Sequence, residues 1–91
     1  MKLWGTIRRD NRIIQDATEE ISAATPAEVG DWDEAIGALC RRLDLSRPVL
    51  LKKHIRDFKE FSRAVFKGED FMEDVDFDRF EIELFIEKKS M

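Results

Sequence analysis

The chain is short of the residues from which catalytic and metal sites are usually built: it has one cysteine, Cys40, one histidine, His54, and no tyrosine. A lone cysteine cannot close an internal disulfide, and one His with one Cys cannot complete the four ligands of a structural zinc site. A thiol nucleophile needs a base within hydrogen-bond reach and surroundings that lower its pKa. Cys40 falls instead on an apolar helical stripe, where burial raises a thiol pKa, and His54 falls among Lys53 and Arg56, as a solvated helix residue would. No window approaches the roughly 18 consecutive apolar residues of a membrane span. The opening Met1-Lys2-Leu3-Trp4-Gly5 lacks the apolar centre of a signal peptide. There is no linker, internal repeat or low-complexity run. The expectation is a cytoplasmic protein with no membrane association, no cofactor, no metal and no enzymatic activity.

What is present is apolar bulk and charge. Ninety-one residues make one domain, 1–91, with one core. The chain is 43% hydrophobic, with seven Phe and two Trp, enough for a packed interior and too much for a disordered segment. It is also 40% charged, against about 25% for an average domain.

The pattern along the chain gives the fold class. β-Branched and apolar residues flank Asp10-Asn11, two residues that tolerate the positive φ of a tight turn, so a hairpin is expected with its second strand from Arg12 towards Thr18 or Glu20. Thr25-Pro26-Ala27-Glu28 is a helix-start signal, and Asp31-Trp32-Asp33-Glu34 is a second. Val29, Trp32, Ile36, Leu39 and Leu43 form one apolar helical face that should end near Asp44, ahead of Pro48. A second helix is expected from Pro48 or Leu50, with Leu51, Ile55, Phe58, Phe61 or Ser62, and Val65 as its stripe. Residues 69–78 read as an irregular acidic connection pinned by Phe71, Val75 and Phe77. Phe80, Ile82, Leu84 and Ile86 then alternate with charged residues, as in a strand with one buried face, and Phe85 breaks the polar set. The expected fold is α+β: a small three-stranded antiparallel sheet with two helices on one face, in the order β-β-α-α-β.

Charge is segregated by segment. Residues 69–87 hold nine acidic side chains against Arg79 alone, whereas residues 41–63 hold eight basic ones against three acidic. Asp74, Asp76 and Asp78 imitate the opening of a calcium-binding loop, but the sixth position is Arg79 where a Gly is needed and the twelfth is Phe85 where a Glu is needed. A positive patch from Arg41, Arg42, Arg47, Lys52, Lys53 and Arg56 would suit phosphate, yet the net charge of −4 and pI near 5.0 disfavour nucleic acid as the partner.

Met1-Lys-Leu-Trp-Gly-x-Ile7, Cys40-x-x-Leu-Asp-Leu-Ser-x-Pro48 and Asp70-Phe-x-Glu-x-Val-Asp-Phe-Asp-Arg-Phe-Glu-Ile82 together span most of the chain. In these stretches it resembles a family of small, uncharacterised bacterial proteins, a domain of unknown function with no assigned activity. The resemblance implies a bacterial, stand-alone cytoplasmic domain and transfers no site residue.

These features point to a protein–protein interaction module, with self-association as a homodimer one form of it. The candidate surfaces are the last strand with its acidic approach (Asp74, Asp76, Asp78, Phe85) and the basic helix (Lys52, Lys53, Arg56). The alternatives are nucleic-acid binding through residues 41–63 and a weak carboxylate metal site.

Overall fold

The structure is a computed structural model that describes residues 1–86. The chain opens with strand β1 (Lys2–Arg9), a turn, and strand β2 (Arg12–Glu20). Asp10 and Asn11 have φ of 53° and 64°. Two successive positive φ values match the right-handed twist of the flanking strands, so this two-residue turn sets the hairpin register. Thr25-Pro26-Ala27-Glu28 makes one 3-10 turn, with the Glu28 carboxylate accepting from the backbone N–H of Ala24 and Thr25.

Helix α1 (Trp32–Arg42) starts at the second of the two expected signals, where the Asp31 side chain accepts from the Glu34 N–H. Acidic residues in its first turn and Arg41 and Arg42 in its last both suit the helix dipole. Helix α2 (Lys52–Phe61) follows and ends at Ser62, whose φ of 58° places it in the left-handed region.

Here the structure corrects the expected fold. The second helix does not continue to Val65. Arg63–Lys67 is a strand, β3, whose side chains alternate between exposed and buried and which pairs antiparallel with the last strand, β4 (Arg79–Phe85). Among the described residues the sheet therefore has four strands, the element order is β-β-α-α-β-β, and the strand order is β2-β1-β4-β3. Phe58, Phe61 and Val65 are spaced as a helix would space them, but pairing with β4 buries Ala64 and Phe66 completely, and that long-range gain decides the conformation. The connection through residues 69–78 is as expected, with Phe71 and Phe77 buried, Val75 partly so, and a 3-10 turn at Gly68–Asp70.

One face of the sheet packs under the helices. Leu3 and Ile7 of β1, Ala64 and Phe66 of β3, and Phe80, Ile82 and Leu84 of β4 meet Ile36, Leu39 and Phe58. Trp32 of α1 stacks on Phe58 of α2 with ring centroids 4.5 Å apart and planes 4° from parallel, which joins the two helices directly. Gly5 lies on this face of central strand β1 beneath α1. A Cβ there would come within 2.7 Å of Leu39 Cδ2 and 2.8 Å of Phe80 Cε1, so only a glycine lets the helix approach this closely.

Gly5→Ala is accordingly expected to destabilise the fold by about 1–3 kcal/mol, the usual cost of overpacking a core. Urea unfolding measures it, and a midpoint equal to that of the parent would show that Leu39 and Phe80 can move aside.

Candidate interaction surface

Cys40 is buried in α1 against the core, and burial pushes its thiol up to about 11, an effect that the nearby Arg47 guanidinium only partly opposes. At neutral pH it is a protonated, inaccessible thiol. His54 is not the solvated residue its neighbours suggest: it is 1% exposed. Its Nδ1 accepts the Leu51 N–H at 3.0 Å, and its ring stacks on Phe66 at 4.2 Å. This bond satisfies the N-cap backbone donor of α2 from the third helical position, the place a Glu or Gln takes in a capping box, so His54 helps set where the helix begins. Nε2 lies 3.6 Å from Asp70 Oδ2, too far for a hydrogen bond, while that oxygen accepts the Lys67 N–H at 2.9 Å. With Nδ1 occupied by backbone, Nε2 is buried beside the Asp70 carboxylate with no hydrogen-bond partner among the described residues.

The acidic approach divides between anchors and free groups. Asp78 Oδ2 accepts the Asp10 N–H at 2.8 Å, and the Asp78 N–H donates to Arg8 O at 2.9 Å, so this residue ties the connection to the β1–β2 turn. Asp76 lies 3.6 Å from Arg9 in an open ion pair. Asp74 is exposed in the connection, and Glu73 accepts from the Ser46 hydroxyl. These carboxylates do not converge: among the described residues no group of three or more His, Cys, Asp or Glu side chains could hold a metal ion. On α2, Lys52, Lys53 and Arg56 are all exposed, and Arg56 lies 3.7 Å from Asp57 of its own helix.

Phe85, the residue that breaks the alternation of β4, lies elsewhere. Its side chain belongs to the sheet face opposite the helices, where Lys2, Asp16, Thr18, Arg63, Glu83 and Phe85 are all exposed. Cross-strand register places its residues in rows. One row runs Ile13, Arg8, Arg79, Lys67; the next Asp16, Thr6, Glu81, Val65; the next Thr18, Trp4, Glu83, Arg63; and Lys2 pairs with Phe85 at the end. The first row sets three cations side by side, which would be unfavourable alone. Glu81 compensates. Its carboxylate lies 2.7 Å from Arg8, 2.9 Å from Arg63 and 2.8 Å from Arg79, with its own side chain only 15% exposed. Arg63 and Arg79 donate hydrogen bonds to it, whereas the buried Arg8 Nε makes a charge contact without hydrogen-bond alignment. Glu81 is thus the hub of a network, in which ion pairs hold one another in place.

At the other end of the face Trp4 and Phe85 lie with ring centroids 6.2 Å apart, and the Trp4 indole N–H donates to Asp16 at 2.9 Å. Phe85 is 47% exposed. The face therefore joins an arginine–glutamate lattice to a pair of aromatic rings, with the small Thr6 buried between them. The signal in the sequence was the apolar Phe85 among the charged positions of its strand. Trp4 and the arginines gave no such signal, because their alignment depends on pairing across three strands.

Comparison with protein-family models, with curated proteins and with solved structures finds no match. No helix among the described residues is long and apolar enough to cross a membrane.

Two solution tests follow from the buried groups. Cys40 is expected to react with a thiol reagent such as DTNB only at the rate at which the protein opens, and within seconds once denaturant unfolds it; fast labelling of the native protein would contradict its burial. His54 is held below its ordinary value of 6.5, chiefly by burial, against the opposing pull of Asp70. The unfolded chain then takes up this proton first, so the stability is complete above about pH 6.5 and falls as the pH drops towards the lower folded value. Because His54 is the only histidine, urea unfolding between pH 7.5 and 5.5 reports it. His54→Asn, which keeps an acceptor for the helix start, should flatten that slope, and a parent protein that gained stability on acidification would show that Asp70 wins.

Proposed function

We propose that the protein is a cytoplasmic, non-enzymatic protein–protein interaction module that presents the uncovered face of its sheet to a protein partner. The observation that carries this reading is the face itself. It is one whole side of a four-stranded sheet, ordered by its own ion-pair network, with Trp4 and the half-exposed Phe85 set together at one end. Aromatic rings and arginines are the residues over-represented where protein interfaces concentrate their binding energy.

The mixed sign of the face favours protein over nucleic acid. Asp16, Glu20, Glu81 and Glu83 stand on it beside the cations, and each would repel a phosphate backbone, whose affinity depends on clustered positive charge. A protein surface can match both signs. Lys52, Lys53 and Arg56 of α2 then form a separate, helical surface, and Asp76 and Asp78 act within the molecule.

Site-specific photo-crosslinking in cells tests the assignment. A photoreactive phenylalanine derivative in place of Phe85 is expected to trap a protein, whether another chain or a second copy, and the same group in place of Arg56 is not. Trapping only from position 56 would move the interface to the helix. No product from either position would remove the module reading, and a product lost on nuclease treatment would replace protein with nucleic acid.

A further inference from the structure

Among the described residues strand β3 is an edge strand: it pairs with β4 on one side, and no other described strand lies on the other. The direction of its free backbone groups follows from the ladder. The Leu84 N–H donates to Ser62 O at 2.7 Å, in line with the β3–β4 register. In an antiparallel pair the hydrogen-bonding residues alternate, so Ala64 and Phe66 bond to β4 while Arg63, Val65 and Lys67 turn their N–H and C=O groups outward. Lys67 confirms the direction, since its N–H is taken by the Asp70 carboxylate. Among the described residues no hydrogen bond reaches the outward backbone groups of Arg63 or Val65.

Beside this edge runs a groove of about 340 Å³. Helix α2 forms its other wall with Lys53, Asp57 and Phe61, spaced four residues apart on one stripe, and Ala64, Val65 and the buried His54 contribute to it from below. Phe61 is 65% exposed there. Lys53 on the wall and Lys67 at the end of the edge make no ion pair among the described residues.

We propose that this groove is a peptide-docking site in which an extended segment of a partner protein adds to β3 as a fifth strand. The occupant is set by the chemistry of the walls. A row of unpaired backbone donors and acceptors is matched by another extended backbone and by little else. Alternation then sends the segment's side chains two ways. One set enters the groove, where an apolar residue packs on the exposed Phe61 ring and a carboxylate meets Lys53. The other set continues the uncovered sheet face beside Arg63 and Lys67, so the added strand enlarges the surface already assigned to the partner. The inference rests on the reading of the protein as an interaction module and names the form that one partner segment takes.

Selection from a random heptapeptide library displayed on phage, against the full chain, supplies the probe. Selected peptides are expected to pair an apolar residue with an acidic one and to slow amide exchange at Arg63 and Val65. They should also lose affinity roughly tenfold for Val65→Pro, about the worth of one backbone hydrogen bond with a clash added. Proline is tolerated at an edge position whose N–H faces outward, and a parent-like amide spectrum would show that the variant is folded. Phe61→Lys gives a second variant, outside the sheet, that should weaken the same peptides. Peptides that bind but leave the Val65 amide unprotected while shifting the Trp4 indole would overturn the strand addition and leave the open-face reading standing. A library that yields no binder would overturn the docking site, whereas the module reading itself falls only if position 85 also traps nothing in cells.

Discussion

Strand β4 lies between β1 and β3, and the rest of the molecule depends on that insertion. Its inner side chains, Phe80, Ile82 and Leu84, are almost wholly buried and reach both the N-terminal hairpin and the α2–β3 unit. Without it the hairpin and β3 share no hydrogen bond, and Leu39 over Gly5 has no Phe80 to pack against. Its outer side chains do the equivalent on the other face. Glu81 gathers arginines from β1, β3 and its own strand, so the same seven residues organise the core and the open face.

This arrangement explains why a highly charged chain folds with so small a core. Most of the charge sits on residues that alternate with apolar ones, and a strand or a helical stripe sorts the two sets onto opposite sides without cost to either. Arg42 pairs with Glu19 across α1 and β2, and Arg47 lies 3.2 Å from Asp33 along α1. Acidic and basic segments thus meet partly within the molecule. What is left unmatched is local: the cationic row of the sheet, the lysines of α2 and the exposed part of the acidic connection.

The sequence was most readable where short-range chemistry decides the conformation. Asp10-Asn11 could be read as a turn because both residues accept positive φ, Asp31 as a cap because it precedes an apolar stripe, and β4 as a strand because its alternation is strict. β3 could not be read that way. Phe58, Phe61 and Val65 satisfy a helical spacing, and what makes Arg63–Lys67 a strand is a partner that arrives twelve residues later in the chain. His54 misled for a related reason. Its immediate neighbours are charged, but its ring is held by Phe66 on the following strand, an element that was itself hidden. At the candidate surface Phe85 was legible as an anomaly, Asp74 is exposed in the acidic connection, and the anchoring roles of Asp76 and Asp78 depended on where the hairpin tip would lie.

The strand order also governs when the chain can fold as it is made. Because β1 must wait for β4, no native sheet larger than the hairpin can close until Phe85 has left the ribosomal tunnel. Until then the nascent chain carries Leu3, Ile7, Leu39 and Phe58 without Phe80, Ile82 and Leu84 to complete their burial. Completion of the sheet therefore waits on the long-range pairing of β1 with β4, a contact of high sequence separation. A chain terminated before Arg79 would present its apolar faces to chaperones and proteases instead of a partial fold.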